Sequence, residues 1–98
     1  MMAQLDMRPE EVQFNSKQLN EEVKGMAELL RQLEASVNEL DAVWVSNEKE
    51  AYKTLVYADI ADLKRILISM NSFANTAMDI ANRRIERENN AANVINSL

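Results

Sequence analysis

The chain has 98 residues with one Gly, one Pro, no Cys and no His, which excludes Ser-His-Asp and Cys-His relays, the usual N/S zinc sites, a haem axial His and a disulfide framework. So little turn material argues against a sandwich or barrel, and a composition 47% hydrophobic and 28% charged is too apolar for a disordered chain. The net charge of −5 opposes a general affinity for nucleic acid or anionic membrane, and it lies in residues 1–46, where nine acidic side chains face four basic ones, against seven of each in residues 47–98.

The first element is a long helix. Apolar residues recur in steps of four and three through Val12, Leu19, Val23, Met26, Leu30, Leu33, Val37, Leu40 and Trp44, with Ser16 as a place-holder in the same seam. Pro9 suits the first helical position, Glu10 and Glu11 suit the positive end of the macrodipole, and Met7 is placed to staple onto Val12. Arg8 is a poor N-cap. The spacing predicts a helix over about residues 9–44, roughly 50–55 Å long. Gly25 falls on its polar face and marks no turn.

The seam breaks at Trp44-Val45-Ser46-Asn47, giving a turn over about 45–47. Asn47 with Glu50 forms a potential capping box and Ser46 is the competing N-cap, so a second helix is expected over about 48–88. Its apolar stripe, including Ile60, Leu63, Ile66, Leu67, Met70, Phe73, Ala74, Ala77 and Met78, covers roughly 140° of the wheel, wider than one hairpin partner needs. Four Asn among residues 89–98 suggest a frayed tail. The expectation is one all-α domain, two long antiparallel helices in a hairpin, assembling as a four-helix bundle dimer.

Partner binding is assigned to Val12, Leu19, Val23, Met26, Leu30, Leu33, Val37 and Leu40 on the first helix and Leu63, Ile66, Leu67, Met70 and Phe73 on the second. Trp44 has two readings, a cap on the hairpin end of the core or a docking contact at its tip. Asp59 interrupts the apolar stripe; folding the chain about residues 45–46 brings it level with Arg31, a pair that could fix register. Asp59 with Asp62, and Glu21 with Glu22, do not supply the converging oxygens of a hard-cation site, so no metal and no cofactor is expected. Arg83, Arg84 and Arg87 lie within helical reach of Asp79, Glu86 and Glu88 and read as a salt-bridged, solvated face. Phe14 lies nearly opposite the seam and is expected to be exposed. No catalytic residue is assigned, and an enzyme is not expected.

Length, the Met7-x-Pro9-Glu10-Glu11 opening, Trp44 at the midpoint, the short turn and the second amphipathic helix together resemble the WXG family, the small helical-hairpin proteins handled by type VII (ESX-type) secretion systems of Gram-positive bacteria and mycobacteria. The family's Trp-x-Gly turn reads Trp44-Val45-Ser46 here, which implies either a different turn or a positive φ at Asn47. The family's C-terminal Tyr-x-x-x-Asp/Glu signal has no counterpart, since no Tyr follows Tyr57. The resemblance implies a secretion substrate, or a chaperone or targeting partner co-secreted with another WXG-like chain or with the helical N-terminal LXG domain of a toxin, and so a link to virulence. No apolar h-region opens the chain, so the expected route is type VII secretion to the cell surface or medium, either in a complex whose partner supplies the signal or with this chain staying inside as an escort. A cytosolic coiled-coil adaptor or phage structural subunit is the alternative. The apolar runs are too short for a membrane span.

Overall fold

In a computed structural model, which describes residues 8–98, helix α1 spans Pro9–Val43 and helix α2 spans Lys49–Asn96, joined by residues 44–48. The two helices pack against each other along their length as an antiparallel hairpin 79 Å long, 26 Å wide and 14 Å thick. The hairpin is one helix thick, so everything not on the line of contact between α1 and α2 faces outward. The proposed staple of Met7 lies outside the described residues.

Helix α1 starts as its sequence dictates. Pro9 occupies the first turn, Arg8 offers no side-chain cap, and Glu10 and Glu11 sit at the positive end of the dipole, Glu11 paired with Arg8 at 3.2 Å. Its last turn closes when the Trp44 N–H donates to the Leu40 carbonyl at 2.9 Å. The start of α2 differs from expectation: Glu48 is the N-cap, in αR conformation, and no side chain caps it, so the Asn47/Glu50 capping box does not form. The Lys49 N–H reaches the Ser46 carbonyl at 3.4 Å instead. No described residue has a positive φ. Trp44 is extended at φ −88°, ψ 119°, so the connection turns without the left-handed residue that Gly would supply, and Ser46 is strain-free there.

Helix α2 also runs to Asn96, eight residues beyond the expected 88. Ala91 and Ala92 are strong helix formers, Arg84 pairs with Glu88 at 3.0 Å across one turn, and Asn costs a helix only a few tenths of a kcal/mol. Ser97 closes the end, its N–H and Oγ both donating to the Asn93 carbonyl.

The buried line between the helices is a heptad row on each. On α1 it is Ser16, Val23 and Leu30, continued by half-buried Val37 and Trp44; on α2 it is Ile60, Ala74 and Ala81, with Leu67 half-buried. A strict seven-residue repeat keeps this row on one side of each helix over the whole length through a slight left-handed supercoil. At the open end the row is small on both helices, Ser16 facing the Ala74 to Ala81 stretch, which lets the backbones approach closely. Gly25 has open space beside it, and an added Cβ would meet nothing within 4 Å.

Candidate functional site

Register decides which side chains meet. Gln13 Nε2 donates to Asn82 Oδ1 at 2.6 Å, Asn20 Nδ2 to Asn75 Oδ1 at 3.0 Å, and Tyr57 Oη to Asn38 Oδ1. Position i of α1 therefore lies level with position 95 − i of α2. Folding about residues 45–46 had set that figure at 90. The five-residue difference arises because the connection runs through Glu48, which moves the fold point past residue 47. The Asp59–Arg31 pair is accordingly absent. Arg31 is engaged by Glu28, whose carboxyl it holds below the usual carboxylate range, while Asp59 lies level with Ser36.

These hydrogen bonds share one side of the hairpin. The α1 row Gln13, Asn20, Ala27, Glu34 and Asp41 supplies a rung every seven residues: after the two amide pairs, Glu34 meets Lys64 at 2.9 Å and Asp41 meets Lys49 and Lys53, each at 3.3 Å. Lys49 also donates to the Asp41 main-chain carbonyl at 3.2 Å. The hydrogen bond from Lys53, reinforced by Lys49, holds the Asp41 carboxyl below its ordinary value, and Asp41 raises Lys53 in return. At Ala27 the ladder has a gap opposite Ile68, a notch of about 490 Å³ between Arg31, Glu34 and Lys64.

The other side of the hairpin has no such ladder. Val12, Leu19, Met26, Leu33 and Leu40 of α1 run beside Val56, Leu63, Met70 and Ala77 of α2, and outside them stand Leu29 and the α2 row Tyr52, Ile66, Phe73 and Ile80. Leu29 is 65% exposed and Phe73 70%. Between the two rows lie shallow apolar grooves: one of about 280 Å³ bounded by Met26, Leu33, Leu63, Ile66 and Met70, and a second of the same size over Val12, Leu19, Phe73 and Ala77. The face extends from the open end to the tip, broken in its outer α2 row by exposed Asp59, and at the tip Trp44 stacks on Tyr52 with ring centroids 6.0 Å apart. Trp44 is half-buried there and covers the hairpin end, while Val45 beside it is exposed.

The thirteen residues assigned to partner binding divide in this geometry. Val23 and Leu30 are buried, and Val37 and Leu67 half-buried, in the contact between α1 and α2, so they hold the hairpin together rather than present a surface. Val12 and Leu19 are half-buried at the groove, and Met26, Leu33, Leu40, Leu63, Ile66, Met70 and Phe73 stand open on the apolar face. Leu29, Tyr52, Val56 and Ile80 belong to that face too.

The basic cluster is partly self-satisfied, Arg83 with Asp79 at 3.0 Å and Arg84 with Glu88. Phe14 is exposed on the outer side of α1. Among the described residues no group of three or more acidic side chains converges as a metal site, and no helix is long and apolar enough to cross a membrane. Comparison with known proteins finds no family model, no curated protein and no solved structure that matches this chain.

Proposed function

We propose that this chain is a non-enzymatic helix-binding module that docks a second helical hairpin on its apolar face and serves type VII secretion, as a WXG-like substrate or as the co-secreted or targeting partner of a helical chain such as an LXG toxin domain. The observation that carries the binding reading is the sidedness of the hairpin: one face is laced by polar rungs, the other is an apolar strip from Val12 to Leu40 and from Tyr52 to Ile80, interrupted on α2 by Asp59 alone. Monomeric soluble proteins rarely expose contiguous apolar patches of this extent. One open face asks for one partner layer, and two hairpins face to face make a four-helix bundle.

The secretion reading is supported by the opening Pro9-Glu10-Glu11, by the length, and by Trp44 at the hairpin tip. Its test is the growth medium of the native host: the chain or its bound partner appears there when the type VII secretion ATPase is intact and disappears when that ATPase is inactivated. A chain that stays in the cell in both strains, bound to nothing exported, would sink the secretion reading.

A further inference from the structure

The exposed α2 row on the apolar face reads Tyr52, Asp59, Ile66, Phe73, Ile80, Arg87, Val94. Reversed about Phe73, it is its own complement: Tyr52 falls on Val94, Asp59 on Arg87, Ile66 on Ile80, and Phe73 on itself. Phe73 is also the middle of α2, which runs from Lys49 to Asn96. Every member of the row is exposed, and among the described residues Asp59 and Arg87 form no ion pair within the chain, whereas Arg83 and Arg84 beside them do. An antiparallel neighbour can therefore satisfy at once the two charges that interrupt the apolar strip.

We infer that the occupant of the apolar face is a second copy of this chain, packed antiparallel with the two-fold axis at Phe73 and registered by two symmetric Asp59–Arg87 pairs. This rests on the reading that the face docks a helical hairpin, and it names the occupant. The neighbouring positions agree to within one residue: Asp62 falls beside Arg83 and Met70 beside Ala77, and on α1 Val12 falls beside Leu33 and Leu19 beside Met26. The end of α2 that projects past the start of α1 covers Tyr52 and Val56 of the other copy with Val94 and Ala91. Two helices side by side over the 35 residues of α1, about 52 Å, readily supply the roughly 800 Å² that each partner buries in a standard interface. The parallel arrangement, with both tips at one end, sets Phe73 against Glu22 and Arg87 against Arg8, opposing like charges. In the antiparallel one the α1 edge places Glu22 beside its own copy at the rim, so attraction resides in the contact between the two α2 helices.

The test is a charge swap read by sedimentation equilibrium of the full chain, with helicity checked by circular dichroism. Asp59→Arg alone and Arg87→Asp alone each weaken self-association on the order of tenfold, since each converts two attractive rim pairs to repulsive ones. The double variant restores most of the loss. Asp59 and Arg87 are about 42 Å apart along one helix, so rescue reports a contact between chains. Phe73→Cys, in a chain without other Cys, forms a disulfide-linked dimer on oxidation. A wild-type chain that stays monomeric at millimolar concentration, or a double variant as weak as the singles, overturns the second-copy inference. Either result leaves the docking reading standing for a different helical partner, which is decided separately by the secretion test.

Discussion

Trp44 closes the last turn of α1 with its backbone N–H and covers the hairpin tip with its ring, stacked on Tyr52. Because it is only half-buried, Trp44→Ala lowers the unfolding free energy by about 2 kcal/mol, below the roughly 3–5 kcal/mol of a fully enclosed Trp; urea denaturation followed by circular dichroism measures it. Below Trp44, Asp41 ties the end of α1 to the start of α2 through Lys49 and Lys53. Its carboxyl is held below the ordinary value in the folded chain, so its contribution to stability is complete above the unfolded value and is lost as pH falls through the depressed folded one. Lys53, raised by the same contact, contributes below its ordinary value and loses that contribution as pH rises through the folded one. A carboxyl NMR titration finds Asp41 titrating below the ordinary aspartate value, and Asp41→Asn flattens the acid limb of the stability curve.

Each helix buries one heptad row, and that row was legible in the amino-acid sequence because the four-three spacing from Val12 to Trp44 and from Tyr52 to Ile85 allows no other structure. The extent of α2 was less legible: Asn89, Asn90 and Asn93 suggested fraying, but Ala91, Ala92 and the Arg84–Glu88 pair carry the helix to Asn96. Register was misplaced by five residues because the connection takes in Glu48 and needs no positive φ. That single shift separates Asp59 from Arg31. At the open end the helices touch through Ala74 and Ala81, both with no exposed surface, and buried Ser16. Ala74→Leu therefore destabilises the hairpin by about 2 kcal/mol through overpacking, seen as a lower urea midpoint.

The whole molecule is a plank one helix thick with a laced side and an open side, and its methionines report on both. Met26 and Met70, 38% and 39% exposed, line the apolar groove. Half-buried Met78 sits three residues beyond Asn75, beside the polar ladder. Peroxide oxidation of the native chain, followed residue by residue by mass spectrometry, tests the claim that the apolar face is where another helical hairpin docks. Compared with the dilute, dissociated chain, the assembled chain is predicted to oxidise Met26 and Met70 several-fold more slowly while Met78 reacts at an unchanged rate. Equal oxidation of Met26 and Met70 in the two states, or protection confined to Met78, would contradict it.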